Sequence, residues 1–231
     1  MAQVILVAAS GLARETLESI RQTGDHKVVG ILDDNRLIHG QLLGGVPVLG
    51  GLELADSRPE KLLVCAGKGS ARQGIVERLN FEPTRYATHV HHSAVLGGTV
   101  KPGPGCIILA GTVATCDIQL GHHVVLMPNV VLTHDDVLGD YVTLAAGVTL
   151  SGGVRVGNRA YLGTNAAVRE HVHIGNSAVL GMGSALLRDL PANQVWVGNP
   201  ARQLPRKVFE PEPNGHWKSC NHAVALRGAQ A

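Results

Sequence analysis

Aromatic side chains are scarce: Trp, Tyr and Phe together make up 3% of the 231 residues. An interior filled by large rings is therefore excluded, and the core must be thin and aliphatic. Runs of charge of one sign are missing too. Lys and Arg are scattered singly, the net charge is +2 and the pI is about 8.4. No footprint for nucleic acid or an anionic membrane results, and neither is expected as a partner. No long hydrophobic run exists. There is no basic segment at the N-terminus, and the apolar run Val4 to Ala9 is too short for a signal-peptide core or a membrane span. A cytoplasmic protein is expected. The four cysteines, Cys65, Cys106, Cys116 and Cys220, show no CxxC spacing. They read as reduced thiols rather than a disulfide framework or a zinc site.

What is present is a repeat of six. From Leu96 to Leu186 every sixth residue is aliphatic, with lapses only at Pro102 and Ala114. Two residues before each stands a small or β-branched side chain, as at Val124, Val130, Val142, Val148 and Val154, with Asp136 the one charged intrusion. A helix repeats near 3.6 residues and a two-sided strand at two, so a period of six demands a coil of short flat faces with both registers pointing inward. Gly103, Gly121, Gly139, Gly157 and Gly175 recur every eighteen residues, three hexapeptides apart. Glycine at one corner of successive coils is expected to supply the positive φ that turns the chain. The result is a triangular prism of parallel β-coils, about five of them at a spacing of ~4.8 Å.

The first ninety residues read differently. Apolar runs at Val4–Val7, Val28–Leu32 and Leu62–Cys65 alternate with helical stretches at Arg14–Gln22 and Ser70–Leu79, the pattern of a small parallel α/β sheet. Ligands of such sheets sit beyond the carboxyl ends of the strands, where a helix N-terminus suits a diphosphate. The first turn, Ala8 to Ala13, keeps one glycine, Gly11; Asp33-Asp34 follows the second strand, where a carboxylate can accept from a ribose or a base. A packing turn and a solvated acidic pair are the plain alternatives.

The sharpest constellation is Thr133-His134-Asp135-Asp136. A histidine at a coil corner projects outward and can take a proton near neutral pH, and Asp135 can fix its tautomer. An exposed loop histidine is the bland alternative. Cys116 lies one coil below, where a thiol nucleophile is conceivable. His122, His123, His171 and His173 do not form a metal triplet, and no metal is expected.

The order of these parts resembles the nucleotide-amino-sugar N-acetyltransferases and the related sialic acid O-acetyltransferases, hexapeptide-repeat acyltransferases that join a small Rossmann-like domain to a left-handed parallel β-helix. The resemblance runs from residue 3 to about 205 through Ile5-Leu6-Val7, Gly30-Ile31-Leu32-Asp33-Asp34, Gly44 to Gly50, Ala66-Gly67-Lys68, His92-Ser93-Ala94-Val95 and Gly198-Asn199-Pro200-Ala201. Handedness comes from it alone, since the usual crossover preference is right-handed. Departures are Leu12 where the family places a His, Ala8 and Ala13 in place of glycines, and Met127 and Thr143 where some members place Asn and His.

The resemblance implies the following roles. His134-Asp135, followed by Gly139-Asp140, carries the general base; Gly152 offers its backbone N–H to the thioester oxygen; Gly198, Asn199 and Pro200 finish the coenzyme A groove. Ser10, Gly11, Asp33, Asp34 and Lys68 hold the nucleotide sugar. Acetyl-CoA is the co-substrate and the assembly a homotrimer. The expected domains are residues 1–90 for the nucleotide sugar, 91–190 for the β-helix and 191–231 for a cap and tail, in which the polar run Glu210 to Gly215 suggests a loose extension or an arm over a neighbouring subunit, and His216, Cys220 and His222 have a metal-like look although no metal is expected. The expected function is N-acetylation of a nucleotide-linked 4-amino sugar by direct attack of the amine on acetyl-CoA. Its rivals are O-acetylation of a sialic-acid-type sugar and a non-enzymatic trimeric scaffold.

Overall fold

The computed structural model describes residues 2–204; His216, Cys220, His222 and the expected arm lie outside them. The first part comprises β1 (Ala2–Val7), α1 (Gly11–Thr23), β2 (His26–Leu32), β3 (Leu42–Leu43), β4 (Val46–Gly50), β5 (Lys61–Val64) and α2 (Gly69–Leu79). Its sheet has the order β3-β4-β2-β1-β5, parallel except for the edge strand β3. Strand β4 escapes the sequence reading because Pro47 interrupts an otherwise apolar run. Pro47 lies opposite Leu42 of the edge strand, and β4 meets β2 through Val48 and Gly50; a proline can sit there because the edge ladder is short.

The period of two along β1 sorts its side chains. Val4 and Leu6 face Leu12, Ala13, Leu17 and Ile20 of α1. Ile5 and Val7 face the other way, into a cluster with Leu62, Val64 and Tyr86 that is covered by Ile75, Val76 and Leu79 of α2. Ser10 caps α1 by accepting from the Ala13 N–H at 3.2 Å, and Gly24 ends it at φ 68°, the expected chemistry at the two ends of a helix.

From His89 the chain winds into the left-handed β-helix. Two-residue strands pair in parallel with those eighteen residues on, Val125 with Thr143 and Leu126 with Leu144 for example, which gives sheets of four, eight and six strands. Both inward registers are sealed: Val124, Leu126, Val130, Leu132, Val142 and Leu144 are wholly buried. Strands Val195–Val197 and Arg202–Gln203 close the far end as an antiparallel pair, with Trp196 in the prism core.

The glycines at eighteen-residue spacing do not supply positive φ. That conformation belongs to the second residue of each turn, every sixth position from Gly105 to Gly183, among them Asp117, His123, Asn129, Asp135, Tyr141 and Arg159. Gly121 instead allows close stacking: a Cβ there would stand 2.7 Å from the Gly139 carbonyl carbon and 2.8 Å from the Asp140 nitrogen. The spacing was informative, but the reason for it is steric contact between coils.

The two parts share a core. Ile107, Leu109 and Val125 on an outer face of the prism pack with Val4, Leu6 and α1. Arg72 of α2, fully buried, crosses the junction. Its Nε donates to His123 O at 3.0 Å, Nη1 to Ala66 O and Gly67 O at 2.9 and 3.0 Å, and Nη2 to Tyr141 O, Val142 O and Thr143 Oγ1 at 2.8, 3.1 and 2.9 Å. Burial lowers this guanidinium to about 10.

Candidate active site

His134 and Asp135 form one turn at a prism edge. The ring Nδ1 lies 2.8 Å from Asp135 Oδ2, so a neutral imidazole donates there and leaves Nε2 as the acceptor. Gly152 stands one coil on. A Cβ at Gly152 would be 2.4 Å from Cε1 and 2.5 Å from Nε2 of His134, so the ring lies across a bare Cα. Gly153 N donates to His134 O, and Gly152 O accepts from His171 N, both at 2.9 Å, while the Gly152 N–H has no hydrogen-bond partner among the described residues. A proton acceptor and a backbone donor thus stand side by side, the pair of groups that acyl transfer to an amine requires.

Asp136 follows directly and turns inward. It is completely buried, with Oδ2 accepting from Thr133 N at 3.0 Å and Oδ1 from Val154 N at 2.8 Å. Burial pushes its carboxyl up to about 6. Asp140 lies away from His134, at the next edge, where its carboxylate accepts from His122 N at 2.8 Å in a ladder continued by Asn158 and Asn176. Cys116 is exposed one coil below, its carbonyl accepting from Asp135 N at 3.3 Å.

Gly198, Asn199 and Pro200 lie on the face that leads to His134. Gly198 N donates to Ser184 Oγ at 3.0 Å and Gly198 O accepts from Ala185 N at 3.1 Å. Ala185 stacks over Ala167, Thr149 and Val131, three coils or roughly 14 Å above the level of His134.

A second feature is a cleft of about 820 Å³ between the first part and the prism. Gly11 and Leu12 at the start of α1, and Lys68, Gly69 and Ser70 at the start of α2, line one wall; Met127, Thr143, Arg159 and Tyr161 line the other. Two helix N-termini and two cations therefore face one space, with Glu15 the one acidic side chain among the lining residues, a balance that suits an anion. Gly69 permits the approach, since a Cβ there would lie 2.2 Å from Tyr141 O. Arg159 is held by Gln73 Oε1 at 2.7 Å and Ser177 Oγ at 3.1 Å.

The remaining candidates serve the first turn. Ser10 spends its hydroxyl within the protein, donating to Cys65 O at 2.6 Å besides capping α1. Asp33 accepts from Ala9 N at 2.7 Å and Asn35 N at 2.8 Å, and so braces the turn. Asp34 pairs with Arg78 at 2.7 Å. Ala8 holds φ 77°, so the turn keeps the conformation glycine would give it, at a cost of roughly 1 kcal/mol or more. Neither Asp33 nor Asp34 lines the cleft.

Within one chain the cleft and His134 do not meet. The turn at 134–135 joins the strand Val131–Leu132 to Val137–Leu138, whereas the cleft covers the face bearing Val125, Thr143 and Tyr161. On a three-sided prism that face and that edge are opposite. Sequence reasoning missed Arg72 and Arg159, since a lone arginine in a polar stretch carries no signal of burial; Asp136 was signalled by its break in the repeat.

Comparison with known proteins fits this architecture. Residues 3–79 match the PglD N-terminal domain family. The chain resembles perosamine N-acetyltransferase from Caulobacter crescentus, solved with CoA and GDP-perosamine, at 28% identity and TM-score 0.81, over 88% of this chain and 97% of that one. It resembles the acetyltransferase domain of PglB from Neisseria gonorrhoeae, solved with acetyl coenzyme A, at 25% identity and TM-score 0.80, over 87% and 98%. WeeI from Acinetobacter baumannii follows at 26% and 0.77, over 88% and 100%. Comparison with the curated proteins finds no significant match. The N-terminal match, the two-part architecture and likeness over nearly the whole length of these relatives support an acetyltransferase of hexapeptide-repeat fold, similar to those that act on nucleotide-linked amino sugars.

Proposed function

We propose that the protein transfers the acetyl group of acetyl-CoA to the amine of a nucleotide-linked 4-amino sugar. The observation that carries this reading is the His134–Asp135 pair lying across Gly152, on a face that runs up to Gly198–Pro200. The amine nitrogen attacks the thioester carbonyl while Nε2 of His134 takes its proton, and Asp135 holds the resulting imidazolium. The Gly152 N–H receives the oxyanion, the C–S bond then breaks and coenzyme A leaves as the thiol after protonation. The three-coil run to Gly198, Asn199 and Pro200 accommodates an extended pantetheine arm. The acceptor's diphosphate occupies the cleft at Gly11 and Lys68, while Ser10 and Asp33 act from behind the cleft by holding the first turn in place.

Because cleft and base lie on opposite sides of one prism, we assign each site to two chains of a homotrimer, one giving the cleft and its neighbour His134. The relatives solved with CoA and GDP-perosamine include variants at a single histidine, which supports a histidine-dependent transfer. The thiols of Cys65, Cys106 and Cys116 are unpaired and suit the cytoplasm. No helix among the described residues is long and apolar enough to cross a membrane. The retained positive φ at Ala8 favours a nucleotide-bearing acceptor over a free sialic-acid-type sugar.

The test is acetyl transfer to UDP-, dTDP- and GDP-4-amino-6-deoxy sugars, with a free sialic acid as control. One nucleotide sugar should be acetylated at nitrogen, and His134→Ala should lower kcat by roughly 10²- to 10⁴-fold in a protein that still binds acetyl-CoA. Near-full activity of His134→Ala on that acceptor refutes the mechanism.

A further inference from the structure

One inward position of the prism breaks the chemistry of all the others near it. In its column Asp136 stands between Ile118 and Val154, which are buried and aliphatic. A carboxylate in such an interior costs several kcal/mol unless its oxygens are matched. Here both are matched, and by donors from two different coils. Thr133 N, which immediately precedes His134, donates to Oδ2; Val154 N, two residues after Gly152, donates to Oδ1. At the neighbouring coils the amides equivalent to Thr133 N, those of Thr115 and Ser151, donate instead to the ladder carbonyls of Leu132 and Val168, so the aspartate bonds are particular to this turn. The exception to the repeat therefore falls on the one turn that carries His134, and it ties that turn to the coil that supplies Gly152.

We propose that Asp136 is a positioning residue for acetyl transfer: its carboxylate clamps the Thr133 and Val154 backbone and so fixes the His134 imidazole over Gly152. This rests on the reading of His134 as the base. The charged groups that act on Asp136 are His134 and Asp135, and its remaining surroundings are backbone and aliphatic side chains. Since burial raises the carboxyl to about 6, the clamp itself takes up a proton on the acid side of neutrality. The protonated oxygen becomes a donor and releases one of the two N–H groups. Protonation of the clamp should then add its own loss of rate on acidification.

The experiment compares Asp136→Val and Asp136→Asn with the unmodified enzyme and with His134→Ala, using acetyl-CoA and the acceptor found in the screen above. Folding is checked by thermal melting and assembly by sedimentation. The valine variant should lose about 10- to 100-fold in kcat, the scale of a misplaced catalytic group, with KM for acetyl-CoA nearly unchanged. Asparagine, which keeps one acceptor, should fall between. The acid limb of log kcat against pH should be less steep in both variants than in the unmodified enzyme, because the clamp's own protonation no longer contributes to it. Unchanged kcat and slope in a folded Asp136→Val or Asp136→Asn protein overturn the inference while leaving His134 as the base. An active His134→Ala removes the reading beneath it. Should Asp136→Val fail to fold, Asp136→Asn gives the same readouts.

Discussion

Gly152 shows how much one hydrogen atom decides at the scale of a residue. The His134 ring occupies the space that a methyl group would fill, 2.4 Å from Cε1. The obstructed atoms belong to a side chain that is 60% exposed and free to swing outward, so Gly152→Ala should leave the fold intact. Its melting temperature should stay within a few degrees of the parent while kcat falls about 10- to 100-fold through misplacement of the base. Unchanged kcat would show that His134 works from another position. Proximity alone does not make a site, however. Ser19 Oγ lies 2.7 Å from His89 Nε2, and His89 Nδ1 lies 3.0 Å from Asp25 Oδ2, the connectivity of a hydrolase triad. His89 is wholly buried and Ser19 nearly so, so no substrate reaches them; the chain of bonds fastens α1 to the first strand of the prism. Burial also lowers His89, and drives His123 down to about 4 with help from the nearby Arg72. Both are neutral packing groups at physiological pH.

The hexapeptide is the element on which the fold rests, and it is the part most legible in the sequence. Leu132, Leu144 and Leu150 at period six, with Val130, Val142 and Val148 two residues earlier, are all wholly buried. Periodicity reports which side chains leave water, so it revealed the prism. It could not reveal why the eighteen-residue glycines are there, because close approach between coils is a contact across eighteen residues rather than a local backbone preference. Positive φ is carried by residues as large as Tyr141 and Arg159, which no turn rule would select. Strand β4 was hidden by Pro47 for a related reason, since the strand is defined by its pairing with the short edge strand β3 on one side and with β2 on the other, which local sequence does not report. The corrected role of the glycines has a measurable consequence. Gly121→Ala would press its methyl against backbone of the next coil at 2.7 and 2.8 Å, and backbone cannot rotate away as a side chain can. It should destabilise the protein by roughly 1–3 kcal/mol, the cost of overpacking. Gly11→Ala, where nothing lies within 4 Å of the added carbon, should cost far less. Urea unfolding of the two variants compares them directly, and equal midpoints would contradict the stacking role.

At the scale of the whole molecule, the position of the cleft is fixed by a junction rather than by any motif. Arg72 reaches from α2 to carbonyls on two sides, Ala66 and Gly67 of the cleft loop and His123 and Tyr141 of the prism edge. The guanidinium has enough donors to satisfy all of them at once. This sets the wall bearing Lys68 against the wall bearing Arg159, and leaves His134 on the far edge of the same prism. If a neighbour's His134 completes each cleft, two inactive variants should restore each other. Lys68→Ala combined with Arg159→Ala weakens the anion-binding cleft, and His134→Ala removes the base. When the two variant proteins are mixed in equal amounts and their subunits exchanged, a site is intact wherever the cleft of a His134→Ala chain meets the histidine of a cleft-variant chain. Random assembly of a closed ring makes about a quarter of the sites intact. Activity should therefore rise toward about a quarter of the unmodified rate, well above either parent, while sedimentation gives three chain masses. A mixture no more active than the mean of its parents would place base and cleft in the same chain, and the path between them would have to cross the prism, which its sealed aliphatic core does not allow.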